Sequence, residues 1–251
     1  MYAKDLMGFE RQLNWNNCQN TRHLGGLKTS NDRVISSQAL VRSDNLTRLT
    51  LEGQQAVIND GVTTVIDLRF VQELEKDPNP FAARDDMNYL HLPMMSTAQT
   101  DAMNVVRAAT TTQEAYKATL EGFGGNIAAI LTGIAESPVG RVVLHCSAGK
   151  DRTGLSVALA LSAIGVSKHD IARDYALTDV FLQASYDQEL AQITNLEERE
   201  KTAEDLRTKP EYILDTFEFI EQTYGNTRAY LESCGVQSRT LEKLKNRLLE
   251  P

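Results

Sequence analysis

Val142-Val143-Leu144-His145-Cys146-Ser147-Ala148-Gly149-Lys150-Asp151-Arg152-Thr153-Gly154 is the segment from which the architecture can be read. Its first residues, Val142 to Leu144, are apolar and largely β-branched, and with Arg141 and His145 they read as a strand buried on both faces. Beyond it, Leu155 to Ile164 has the composition of a helix, and Gly165 stops it. A strand, a tight loop and a helix therefore follow one another. Cys146 and Arg152 enclose five residues, a length that lets a loop curl until successive backbone N–H groups face one centre. Such a nest at a helix N-terminus is an anion site of the size of a phosphate. Gly149 supplies a backbone angle barred to larger residues, and Gly154 lets the helix start close to the sheet.

Working outward, Val62 to Leu68 reads as a second buried strand and Tyr89 to Leu92 as a short third one, ended by Pro93. Leu46, Leu49, Leu51, Val57 and Ile58 have helical spacing, which predicts a helix over 46–61 closed by Gly61. Residues 101–136 read as helical with an interruption near 122–125. Ser167 caps the next helix, with Asp170 at capping-box spacing. The charged stretch 183–209 reads as either a lid insertion or a solvated helix pair, and 211–249 as two or three closing helices. Strands alternating with helices predict an α/β fold with a central, largely parallel sheet flanked by helices. The 251 residues fit one domain, 1–251.

Composition removes several function classes. Hydrophobic residues are 41% and charged residues 24% of the chain, which excludes a disordered, collagenous or membrane-embedded protein. The net charge of -8 opposes general nucleic-acid binding, while leaving room for one local basic pocket. Cys18, Cys146 and Cys234 are far apart and in no CxxC pair. That speaks against a disulfide framework and a metal site. Met1 to Gln12 carries charges throughout and no apolar core, so it is no secretory leader, and no stretch is long enough to be an integral membrane segment. The expected place is the cytoplasm, with export by a signal-less route left open.

The loop also carries chemistry. The helix dipole, the converging N–H groups and Arg152 all favour a thiolate at Cys146. A thiolate beneath a bound phosphoryl group is an in-line nucleophile. The planar fork of Arg152 can grip two phosphoryl oxygens, more tightly in the transition state than before it. Ser147, Ala148, Gly149, Lys150 and Thr153 complete the substrate-binding set, with the Thr153 hydroxyl placed to donate to Cys146. His145 is expected to orient the loop. Cys18 and Cys234 read as inert small hydrophobes.

HCSAGKDRTG resembles the signature of the cysteine-dependent protein tyrosine phosphatase superfamily. More narrowly, it is similar to the bacterial and fungal tyrosine/phosphoinositide phosphatases with an HCxxGKDR loop. Asn20-Thr21-Arg22-His23-Leu24-Gly25-Gly26 resembles that family's N-x-R-D-L-G-G, with His23 in place of the usual Asp. Leu40-Val41-Arg42-Ser43 resembles its L-x-R-S. Ile66-Asp67-Leu68-Arg69, with Glu73 following, resembles its I-D-L-R-x-x-x-E, and Tyr224-Gly225 with the closing Leu-rich helix also fits. The resemblance implies a protein tyrosine phosphatase-like fold and hydrolysis of phosphomonoesters through a phosphocysteine, without cofactor or metal. Its substrate is then a phosphorylated protein or a phosphoinositide.

No Asp lies between Asp101 and Asp151, so Asp151 is the first candidate to protonate the leaving oxygen. Its other reading is a partner for basic neighbours that shapes the loop. Asp67 and Arg69 end a strand where sites collect in open α/β sheets, or form an ion pair supporting the loop. Lys150 sets a second cation beside the phosphate, or is merely solvated. Two rival functions remain: a non-catalytic phosphate-binding module, and a rhodanese-like sulfurtransferase, which also uses a loop cysteine.

Overall fold

The computed structural model describes residues 10–250. Of the stretch examined for a leader, only residues 10–12 fall within that range. Among the described residues five strands form one sheet: β1 (Arg22–His23), β2 (Leu40–Ser43), β3 (Val62–Asp67), β4 (Asn88–His91) and β5 (Arg141–His145), in the order β1-β2-β5-β3-β4. β1 is antiparallel to β2; the other pairings are parallel. The largely parallel sheet expected from the sequence is therefore present. Register aligns the carboxyl ends of three strands, with Ser43 and Asp67 each opposite His145. The loop leaving β5 departs from that row.

The helices are α1 (Leu51–Asn59), α2 (Val71–Lys76), α3 (Thr100–Ala108), α4 (Thr112–Gly122), α5 (Gly124–Glu136), α6 (Asp151–Ala163), α7 (Lys168–Ala191), α8 (Leu196–Leu206), α9 (Pro210–Tyr224), α10 (Thr227–Ser233) and α11 (Ser238–Leu248). Strand alternation distributes the core to both faces of the sheet. Leu40, Ile66, Val142 and Leu144 face the larger cluster, built with α4–α7 and α9–α11. Val41, Val65 and Val143 face a smaller one with Trp15, Leu46, Val57 and Phe81. Residues 153–161 of α6 are all buried, so this helix is enclosed by the larger cluster.

Several boundaries differ from expectation for local reasons. The helix predicted over 46–61 is split: a 3-10 turn covers Leu46–Arg48, and Thr50 then caps α1 by accepting from the Gly53 amide. α6 begins at Asp151 instead of Leu155, because the first turn is itself part of the anion loop. Residues 101–136 break twice, at 109–111 and at Phe123. Ser167 caps α7 by accepting from the Asp170 amide. The charged stretch 183–209 comprises the outer part of α7, a link, and all of α8; residue 183 lies within the continuous α7. No helix among the described residues is long and apolar enough to cross a membrane.

Candidate active site

Residues 146–150 join β5 to α6, and Asp151 and Arg152 open the helix. Three consecutive carbonyls of the loop are drawn outward. The Asn45 amide donates to Ser147 O at 2.9 Å, Asn20 Nδ2 to Ala148 O at 2.9 Å, and Arg42 to Gly149 O at 2.8 Å. Their amides are correspondingly left for the inside of the curl; among the described residues, none from Ser147 to Lys150 donates to a protein acceptor. Gly149 has φ +68°, and a Cβ there would stand 2.5 Å from Ser43 O, so both backbone angle and space require glycine. Helix α6 starts at this point without a side-chain cap, which adds its orphan N–H groups to the cradle. The Cys146 side chain lies beneath it, in a residue only 2% exposed.

Arg152 crosses the mouth of the loop to Glu73 on α2. Arg152 Nη1 donates to Glu73 Oε2 at 2.5 Å and Nη2 to Oε1 at 3.2 Å; the Ser147 hydroxyl donates to the same Oε1 at 2.5 Å. This end-on pairing uses the two terminal nitrogens; Nη2 also donates to the Ser147 hydroxyl at 3.4 Å, and Nε has no protein acceptor among the described residues. The Phe70 ring lies 5.2 Å from the guanidinium carbon, and the Phe70 amide also donates to Glu73, at 2.8 Å. Partial burial pushes the Glu73 carboxyl up, but Arg152, Ser147 and the Phe70 amide outweigh it and bring the pKa down to about 2. Burial weighs against the charge on Arg152. Electrostatic interaction with the neighbouring Cys146 and Glu73, and the hydrogen bond to Glu73, more than offset this and hold it above its ordinary value.

On the far side of the loop, Asp151 and Arg152 line a cleft of about 300 Å³ together with Met94, Met95, Val106 and Ala115. The Asp151 side chain is half exposed. Its Oδ1 accepts from the Tyr116 hydroxyl at 2.6 Å. Lys150, expected beside the phosphate, lines the same cleft and donates to the Asp205 carbonyl at the end of α8, at 2.5 Å. The expected bond from Thr153 to Cys146 is not made: the Thr153 hydroxyl is buried and has no partner among the described residues. Gly154 provides close approach, but to another helix: a Cβ there would stand 2.9 Å from the Tyr175 ring of α7.

A model of the tyrosine phosphatase family matches residues 13–250. The chain belongs to the tyrosine phosphatase family. It is similar to a tyrosine-protein phosphatase of Nostoc commune, 29% identical over 222 residues that cover 86% of this chain and 76% of the relative. It is also similar to the triple specificity protein phosphatase PtpB of Mycobacterium tuberculosis, 27% identical over 257 residues, covering 84% and 90%. The protein is thus an enzyme, a phosphatase of this family.

The remaining motif residues of this phosphatase lie under the loop as scaffolding. His145 contacts Asn79 at 2.9 Å and Asp67 at 3.2 Å through Nε2, and the Cys146 carbonyl at 3.2 Å through Nδ1. Asp67 also accepts from Arg69, Asn79 and Tyr89, and Arg69 donates to the Asp77 carbonyl. Burial raises the Asp67 carboxyl, but His145 and Arg69 together hold it well below the usual carboxylate range. Asp67 and Arg69 therefore form a buried ion pair below the loop. On the other flank, Asp174 of α7 takes Arg11 at 2.8 Å, Arg22 at 3.2 Å and Arg42 at 2.9 Å. Arg42, in turn, holds Gly149. Burial and Asp44 push the Cys18 thiol up, and burial raises that of Cys234, so neither is activated.

Glu73, Asn20 and Arg42 lie in the upstream segments that resemble the family, far from the loop in the chain. Their spacing from the loop held no clue that they grip it. Asp174 and Tyr116 stand in no recognised motif, and nothing in the sequence marked them.

Proposed function

We propose that this phosphatase hydrolyses phosphotyrosine esters in two steps, through a phosphocysteine at Cys146. The observation that carries this reading is the combination of loop amides beside Cys146 and an Arg152 Nε that have no protein acceptor among the described residues. In the first step the Cys146 thiolate attacks phosphorus in line. The P–O bond breaks, and protonated Asp151 gives its proton to the departing phenolate oxygen. Loop amides and Arg152 hold the three equatorial oxygens as charge spreads over them. In the second step water attacks phosphorus, Asp151 takes its proton, and the S–P bond breaks.

The apolar wall of the cleft, Met94, Met95, Val106 and Ala115, suits the ring of an aryl ester better than a polyphosphorylated inositol. Lys150 is the one loop cation that would favour the phosphoinositide, and it is occupied by Asp205. The Mycobacterium tuberculosis relative, named a triple specificity phosphatase, makes phosphoserine and phosphothreonine peptides worth including in the test. We read 1–251 as one phosphatase domain acting in the cytoplasm, with 183–209 as a cover at the edge of the cleft.

The test is turnover of phosphotyrosine peptide, phosphoserine peptide and phosphoinositide side by side, with acid quenching to trap the intermediate. Phosphotyrosine should be fastest, with phosphate recovered on the peptide containing Cys146. Cys146→Ser should abolish turnover while retaining binding of inorganic phosphate. Substantial activity of pure Cys146→Ser would end the covalent mechanism, and sulfur transfer from thiosulfate would favour the rhodanese-like rival.

A further inference from the structure

Tyr116 lies on α4, 35 positions before Asp151, and is buried to 3% exposure. Its hydroxyl is 2.6 Å from Asp151 Oδ1 and 2.6 Å from the Tyr175 hydroxyl. A phenol has one proton to give. With that proton directed to the carboxyl, Tyr175 must donate to Tyr116, so the order is Tyr175 to Tyr116 to Asp151. The two rings meet edge to face, with centroids 6.4 Å apart. Tyr175 reaches this position only because Gly154 has no side chain, since a Cβ there would press on its ring. Lys150 Nζ, 3.9 Å away, also lies on the Oδ1 side. Among the described residues Oδ2 has no protein partner, and Asp151 lines the cleft where the leaving group would lie.

We propose that Tyr116, backed by Tyr175, is the positioning residue of the proton donor: it clamps Asp151 Oδ1 and thereby leaves Oδ2 to carry the proton to the ester oxygen. The inference rests on the acid role proposed for Asp151. Tyr116 keeps its own proton throughout, as burial together with Asp151 and Tyr175 holds its phenol well above the ordinary range. The proton transferred is the one on Oδ2, and it leaves as the P–O bond breaks. A half-exposed aspartate without the clamp would spread over several rotamers, and misplacement by about 1 Å can cost roughly 10²-fold in rate.

The experiment compares phenyl phosphate, which needs protonation of its leaving oxygen, with para-nitrophenyl phosphate, which hardly does. Tyr116→Phe removes one oxygen atom and leaves the ring packed. It should lower kcat on phenyl phosphate about tenfold more than on para-nitrophenyl phosphate, with little change in KM, part of the roughly 10²–10⁴-fold that general acid catalysis provides. In an Asp151→Asn background the same substitution should have no further leaving-group effect. Tyr175→Phe should move the ratio in the same direction by less, which keeps the test open if Tyr116→Phe folds poorly. Equal slowing of both substrates by Tyr116→Phe, or an effect that persists beside Asp151→Asn, would overturn the clamp. If Asp151→Asn alone shows no leaving-group dependence, the acid role of Asp151 falls and the clamp with it. If it shows that dependence and the tyrosine variants do not, only the clamp falls.

Discussion

Arg152 and Glu73 illustrate how one ion pair can prepare a site without blocking it. Arginine has five N–H donors in a fixed plane. Glu73 takes the end of that plane through Nη1 and Nη2, Nη2 also reaches the Ser147 hydroxyl, and Nε is left for the phosphoryl group of the proposed reaction. Arg152→Lys keeps a charge but loses the plane. Turnover should fall by about 10²-fold or more, chiefly in kcat, because the fork is matched to the transition state; an unchanged kcat would remove Arg152 from that role. Glu73→Gln keeps the shape and loses the charge. It should lower kcat by about tenfold on good and poor leaving groups alike, because it acts through Arg152 and not through the proton donor. A leaving-group dependence for Glu73→Gln would contradict this division of labour. The Glu73 pKa of about 2 lies below its ordinary 4.5. The pairing therefore contributes fully above pH 4.5 and is lost as the solution is acidified toward pH 2.

β1, β2 and α7 are tied together by one carboxylate. Asp174 is buried among Arg11, Arg22 and Arg42, and Arg42 passes the restraint to Gly149. Removing the carboxylate leaves buried guanidinium charge uncompensated, which typically costs about 3–5 kcal/mol. Asp174→Ala should lower the midpoint of denaturant unfolding by the equivalent of that loss; a change under about 1 kcal/mol would show the arginines finding other partners. Burial raises Asp174, but the three arginines hold it well below the usual range, as His145 and Arg69 hold Asp67. Both groups have depressed folded-state values, so their stabilisation is complete above the unfolded aspartate pKa of about 3.9 and falls away below it. Acid unfolding should consequently steepen below about pH 4 and shift upward in Asp174→Asn. None of this network could be read from the chain order. β3 and β5 were legible because strands buried on both faces read as apolar runs, and Cys146 and Arg152 because the loop is local. Glu73 lies 79 positions from Arg152, and only folding brings them together. The misread helix over 46–61 has a local cause: Leu46 and Leu49 continue the apolar spacing of α1 across the cap at Thr50.

The molecule divides its rigidity unevenly, and the division suits the aryl ester proposed as its substrate. α6 is buried along most of its length, so the loop stands on the most enclosed helix. α8 has no buried residue, and few apolar contacts mean a low free energy of local opening. Its end is held by polar contacts instead: Lys150 to the Asp205 carbonyl, Arg207 to Asp179 at 3.3 Å, and the Thr208 amide to Asp179 at 2.6 Å. Lys150 thus joins the catalytic loop to the segment read as a cover. Amide hydrogen exchange should be faster across 196–208 than across 151–163 by several orders of magnitude, because the first opens locally and the second only with the whole fold. Lys150→Met keeps the apolar stem and removes the donor. It should speed exchange further around 205–208 while leaving 151–163 protected. Were 196–208 to exchange as slowly as α6, the cover would be part of the rigid body, and substrate would have to enter past a fixed edge. Were Lys150→Met to leave 205–208 unchanged, the Asp179 contacts alone would hold it, and the loop would have no grip on the cover.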